Sequence, residues 1–180
     1  MNELLNAKMK KRWIALFVVA VVFGTAAVYA WWSPSAGPAE TPDRIVVLKS
    51  ERRMILYRGS EVLREYKVAI SRVPVGGKTR EGDHKMPEGV YTIDAKNPAS
   101  AFHLALHVSY PNAEDRARAA ADGVRPGGDI EVHGIKNGLG WLGRFQRWAN
   151  WTNGCIALTD PEIEQVYKSV PVGTRIEIRP

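Results

Sequence analysis

The sequence predicts a mainly β domain with two or three short helices, preceded by one N-terminal transmembrane helix. Three observations lead there. Short β-branched and aromatic runs, bounded by Gly, Pro and charged turns, recur from Asp43 to the end of the chain. Helical patterns are few, brief and never alternate with strands, which argues against a βαβ architecture. An uncharged run, Trp13 to Trp32, stands alone near the start.

That run has the length of a membrane span. At ~1.5 Å per residue it would cover about 30 Å of bilayer core. Trp13 at one end and Tyr29, Trp31 and Trp32 at the other suit the two interfaces. Lys8, Lys10, Lys11 and Arg12 precede the run, which places the N-terminus in the cytoplasm. The alternative is a signal peptide cut after Ala30, although the bulky Trp31 is a poor neighbour for a cleavage site. Either outcome exports the chain beyond Trp32. Residues 1–12 are thus read as a cytoplasmic basic segment, 13–32 as a signal anchor, 33–42 as a Pro- and Ala-rich linker and 43–180 as the folded domain.

Within the domain, Ile45–Ser50 and Met54–Tyr57 read as a hairpin around the charged Glu51, Arg52 and Arg53. Val62–Ile70 reads as a strand after the Gly59-Ser60 turn. A long polar loop, Gly76–Pro87, comes next; loops of that length are usually functional or mobile. Gly89–Ile93 and Phe102–Tyr110 read as strands, and Ala113–Ala121 as a short helix started by Pro111 and Asn112. Ile130–His133 is a strand, and the aromatic stretch Leu139–Trp151 is ambiguous. A last helix opens with Asp160 as N-cap and Pro161 at its first position and runs to about Ser169, before a closing strand Arg175–Ile178.

Composition narrows the function. Half of the net charge of +6 lies in the first 32 residues, and the rest is scattered among acids, so nucleic-acid binding is not expected. Gly138–Gly143 matches the spacing of a dinucleotide loop but lacks the flanking βαβ unit. Gly77-Lys78-Thr79 resembles the end of a phosphate loop, but Arg72 stands where the first glycine belongs. No cofactor is expected.

Chemistry centres on Cys155, the only cysteine. In an exported domain it can form no internal disulfide, so it is either a small buried hydrophobe or a nucleophile. Gly154 before it permits a positive φ and close approach of substrate, and nearby amides could face a developing oxyanion. A thiol needs a base. His133 ends a strand and is followed by Gly134, which suits a side chain presented at a rim. His103 and His107 would share one strand face with Ala105 and Ser109. His107 could line the same cleft, whereas His103 reads as a half-buried polar residue and His84 as solvated. A metal site from His103, His107, His133 and Cys155 lacks zinc-type paired spacing, so none is expected.

His133-Gly134, a spacer, then Thr152-x-Gly154-Cys155-Ile156-x-Leu158 resembles the catalytic motif of the YkuD-type L,D-transpeptidases. Lys49–Arg53, Arg80–Asp83, Pro87–Tyr91 and Phe102–Pro111 resemble the same family, in particular its YafK-like, membrane-anchored or exported branch. The resemblance implies a β-sandwich-like catalytic domain with Cys155 as nucleophile and His133 as base. It implies Gly134, Asn153, Gly154 and His107 around the oxyanion and substrate. The partners it implies are peptidoglycan stem peptides and, through the N-terminal helix, a bacterial inner membrane, with the catalytic domain in the periplasm.

Two positions depart from the family pattern. Asn153 stands where a second histidine is common, and Ala157 where an Arg or Asn is common. Arg80, Arg144 or Arg147 could supply the missing charge. Trp141, Trp148 and Trp151 enrich the spacer, as a small hydrophobic core under a loop or as a lid or glycan-stacking wall. Three functions fit the motif: a transpeptidase that cross-links wall or attaches protein to it, a hydrolase cutting such linkages, and a non-catalytic wall-binding module.

Overall fold

A computed structural model describes residues 40–180. The cytoplasmic segment, the membrane helix and most of the linker expected from the sequence lie outside the described residues. Among the described residues no helix is long and apolar enough to cross a membrane.

Among the described residues, eight strands form one sheet in the order β3-β2-β1-β8-β4-β5-β6-β7. They are β1 (Arg44–Leu48), β2 (Arg53–Arg58), β3 (Glu61–Lys67), β4 (Gly89–Ser100), β5 (His103–Val108), β6 (Glu131–His133), β7 (Ile156–Ala157) and β8 (Arg175–Arg179). The long β4 joins two halves. Gly89–Thr92 pairs with β8, whereas Ile93–Ser100 pairs with β5. Apolar side chains from both halves meet in one core, with Ile45, Met54, Ile93, Leu106, Val132 and Ile156 among its members. Each such side chain contributes ~1.5–3 kcal/mol by leaving water.

The expected hairpin forms as β1 and β2, paired antiparallel from Arg44↔Tyr57 to Leu48↔Arg53. Its turn holds Lys49, which is nearly buried and donates to Glu88 Oε1 at 2.6 Å and to the Gly76 carbonyl at 2.8 Å. A buried cation needs such partners. The two bonds anchor both ends of the 76–87 loop.

The strand expected over Val62–Ile70 divides. β3 pairs with β2 only to Lys67, after which the chain leaves that edge. Ala69 then exchanges both backbone hydrogen bonds with Ala157, and Arg72 N donates to the Thr152 carbonyl. Segment 68–72 therefore holds the cysteine-bearing segment from one side.

Helix α1 is Ala113–Ala121, and Asn112 caps it reciprocally with Asp115. Helix α2 is Asp160–Ser169, but its N-cap is Thr159 rather than Asp160. The Thr159 amide and hydroxyl both donate to Glu162, at 3.0 and 2.7 Å. Asp160 is thereby freed, and its carboxylate accepts from the Ile135 amide at 2.9 Å. The ambiguous stretch becomes a 3₁₀ segment, Gly140–Trp148, kinked at Gly143.

Candidate active site

The centre of the site is the outer face of β5, β6 and β7. β6 pairs parallel with β7 through Val132↔Ile156 and His133↔Ala157. Side chains alternate along strands, so the apolar Val132 and Ile156 enter the core while His133 takes the opposite face. Cys155 stands one residue before β7, and its sulfur lies against the backbone leading into β6, near the Asp129 carbonyl and the Glu131 amide. The antiparallel pairing of β5 extends these rows: His107 lies opposite Glu131, and Ala105 opposite His133.

Gly154 determines how the thiol is presented. Its φ is +135°, and a Cβ there would stand 2.7 Å from the Lys85 carbonyl oxygen and 2.9 Å from Ile130. Only glycine meets both conditions without strain. Thr152 is buried, and its hydroxyl donates to the Cys155 carbonyl at 2.7 Å, closing the turn. Cys155 itself is partly exposed. Its Sγ lies 3.5 Å from the carbonyl of Asp129, a residue in left-handed conformation at φ 55°. Burial pushes the thiol up to about 11. The Glu131 amide pulls it down, while the Glu131 and Asp129 carboxylates raise it further. At rest it is a thiol, not a thiolate.

His133 is buried, and its ring packs on Phe102 at 4.5 Å between centroids and edge-on to Trp151 at 5.7 Å. Nδ1 lies 2.7 Å from the Gly134 carbonyl. A carbonyl only accepts, so Nδ1 carries the hydrogen and Nε2 keeps its lone pair. Burial lowers the His133 pKa and the Gly134 carbonyl pulls it back up, with burial the larger effect. The imidazole is therefore neutral near pH 7, as a general base must be.

The other anticipated residues are distributed around this centre. Gly134 does not offer its amide to the cleft: that N–H is shared between the Phe102 and Leu104 carbonyls at 3.0 and 3.2 Å. A Cβ on Gly134 would also come within 3.0 Å of His103, Ile163 and Asp160. Its contribution is the carbonyl that orients His133. Asn153 is exposed, with Oδ1 3.0 Å from Nδ1 of His84. His84, read as solvated, thus ties the 76–87 loop to the residue two before Cys155. His107 is half-buried, and its Nδ1 lies 2.6 Å from Asp94 Oδ1. Asp94 is an extra residue at a bulge in β4, which turns its carboxylate toward β5. His103 turns away, with Nε2 2.9 Å from Glu164 of α2.

The loop over the site is internally braced. Lys78 is buried and donates to Asp83 Oδ1 and to the Arg80 carbonyl, both at 2.9 Å. Asp83 also accepts from the Thr79, Arg80 and Lys85 amides. Burial alone would raise the Asp83 carboxyl, but Lys78 and the three amides hold it down at about 2.

The tryptophans do not form one small core. Trp151 does pack inward, with Nε1 donating to buried Gln146 at 2.8 Å. Trp141 and Trp148 are 78% and 83% exposed. The kink at Gly143 breaks the 3₁₀ segment and prevents a single buried face. Of the arginines considered for substrate charge, Arg147 is committed to Glu162, whereas Arg80 and Arg144 are exposed. Glu131, Asp129 and Asp94 join the site without any motif to mark them. Glu131 carries one usable signal: it lies two residues before His133 in a strand and must share its face.

A model of the YkuD L,D-transpeptidase catalytic domain matches residues 42–178. The chain belongs to the YkuD family. YafK of Escherichia coli K12, which carries an L,D-transpeptidase name, is 28% identical over 136 residues, covering 72% of this chain and 48% of that protein. The chain therefore spans about half the length of the curated relative it matches. Among solved structures, the helical cell shape determining protein Pgp2 from Campylobacter jejuni superposes with a TM-score of 0.58 at 24% identity, over 78% of this chain and 48% of that one. An L,D-transpeptidase from Mycobacterium smegmatis gives a TM-score of 0.51 at 18% identity, over 76% and 58% of the two chains. These two structures share the YkuD fold with this chain.

Proposed function

We propose that this YkuD domain is a peptidoglycan L,D-transpeptidase that works through a thioester on Cys155. The observation that carries the reading is the pairing of β6 with β7. It supports the reading because Cys155, partly exposed, immediately precedes β7, the partner of the strand that ends in His133, whose neutral imidazole has its tautomer set by Gly134.

His133 Nε2 takes the proton of Cys155 as the sulfur attacks the carbonyl on the L-centre of diaminopimelate in a stem peptide. The Cys155 amide donates to the oxyanion, a good donor being worth ~3–4 kcal/mol, whereas the Gly154 amide already donates to Thr152 Oγ1 at 3.4 Å. The imidazolium returns its proton to the departing amine of the terminal D-residue. An amine of a second stem then resolves the thioester, regenerating the thiol and forming a cross-link or a protein attachment.

Water can resolve the same thioester, so a hydrolase uses the same machinery. Ala157 favours keeping this second reading, because it leaves the position where the family commonly carries an Arg or Asn without a charge to hold the acidic stem. The run Trp13–Trp32 supports a single-pass anchor that keeps the domain on the periplasmic side of the inner membrane.

Incubation of purified wall with the full chain, followed by digestion and separation of fragments, tests the reading. New cross-linked dimers indicate transfer, and loss of linked species indicates hydrolysis. An unchanged profile indicates a binding module and refutes the enzymatic reading.

A further inference from the structure

Glu131 holds a position that the Cys155–His133 chemistry does not use. It lies opposite His107 of β5, and its amide adjoins the sulfur of Cys155, one residue before β7. The charged groups around it are otherwise occupied. His107 is engaged with Asp94 of β4, and Lys78 from the overlying loop is spent on Asp83 and a backbone carbonyl. Asp129, two residues earlier, adds a second negative charge near the sulfur. Among the described residues the Glu131 carboxylate has neither a salt bridge nor a hydrogen bond, although it is half-buried. Burial raises its carboxyl, His107 pulls it back, and Asp129 raises it again. A half-buried acid beside a nucleophile, with no cation of its own, is free to receive one from a ligand.

We propose that Glu131 is a specificity-determining residue whose carboxylate receives a primary ammonium group of the acyl donor beside Cys155. This rests on the peptidoglycan reading, in which the donor is a diaminopimelate stem. The attacked carbonyl belongs to the L-centre, and the ammonium sits on the D-centre at the far end of the same side chain. From the attacked carbonyl carbon to the ammonium nitrogen the donor spans six bonds of about 1.5 Å each, so the ammonium reaches past the sulfur to a neighbouring side chain. A carbonyl held at Cys155 therefore leaves the ammonium within reach of Glu131, whose amide adjoins the sulfur.

The test uses the full chain carrying Cys155→Ala, with binding measured by calorimetry. The ligands are a diaminopimelate tetrapeptide and the same peptide acetylated on its side-chain amine. The free amine should bind about tenfold tighter, as for a charge-assisted hydrogen bond in a partly desolvated site. Added Glu131→Gln should abolish that preference, and Glu131→Asp should keep part of it. In turnover, Glu131→Gln on the active chain should raise KM for the free amine about tenfold and leave KM for the acetylated peptide unmoved. Equal binding of both peptides with Glu131 present, or a preference that survives Glu131→Gln, overturns the role of Glu131 alone. A loss confined to resolution of the thioester also overturns it, because the ammonium would then belong to the acceptor. Absence of binding by either peptide overturns it together with the peptidoglycan reading.

Discussion

His133 Nδ1 lies 2.7 Å from the carbonyl oxygen of Gly134, the next residue in the chain. That contact fixes which ring nitrogen is basic, using the backbone rather than an acidic third residue. It also gives Gly134 a function for its carbonyl while its amide stays within the sheet.

Activity should therefore persist below the ordinary histidine range. Burial lowers the His133 pKa, so its neutral, basic form survives as pH falls through about 6.5, the unperturbed value. The acid limb of kcat/KM should lie below that value. A limb well above it would indicate a base other than His133.

The free thiol should react slowly at neutral pH. Burial and the neighbouring acids hold Cys155 up at about 11, so alkylation by iodoacetamide should accelerate progressively from pH 7 toward that value. Glu131→Gln removes one of the charges that raise it and should shift the profile to lower pH. An unmoved profile would place the carboxylate away from the sulfur.

Gly154→Ala should cripple the site. The residue has φ +135°, and the new Cβ would meet the Lys85 carbonyl at 2.7 Å. Backbone strain of roughly 1–3 kcal/mol adds to that clash. Denaturant unfolding should show a loss of at least that size, and turnover should fall by about a hundredfold or more.

Asp83 ties loop stability to pH. Its carboxyl is held at about 2, below its ordinary value of 3.8, so it stabilises the fold fully above about pH 4. That contribution, roughly 2–3 kcal/mol, is lost as pH falls from about 4 to about 2. Asp83→Asn should remove it at neutral pH and flatten the acid dependence of unfolding over that window.

The aromatic spacer separates into two classes of substitution. Trp141→Ala and Trp148→Ala should change unfolding stability by less than about 0.5 kcal/mol, because both side chains are exposed. Trp151→Ala removes a ring packed against His133 and Phe102 and should cost about 2 kcal/mol or more. Equal effects would contradict the division made by the Gly143 kink.

The elements legible in the sequence are those set by local chemistry. Asn112 with Asp115 marks the start of α1, and the Lys49–Arg53 turn marks the first hairpin. Thr159 is hidden as a cap because Asp160 is an equally good one by type; the choice depends on Ile135, which claims the Asp160 carboxylate from 25 residues away. β4 runs to Ser100, well beyond the Gly89–Ile93 pattern, because pairing with β5 holds its polar second half. Cys155, Gly154 and His133 are visible by residue type and spacing. The placement of Glu131 between His107 and the Cys155 sulfur is not, because it depends on the non-local pairing of β5, β6 and β7.

The most direct test of the central claim is the intact mass of the full chain during turnover of a diaminopimelate tetrapeptide. The account predicts an adduct on Cys155 equal to the tetrapeptide less its terminal D-residue, sensitive to hydroxylamine and absent from Cys155→Ala. Continued release of the D-residue by Cys155→Ala would contradict it.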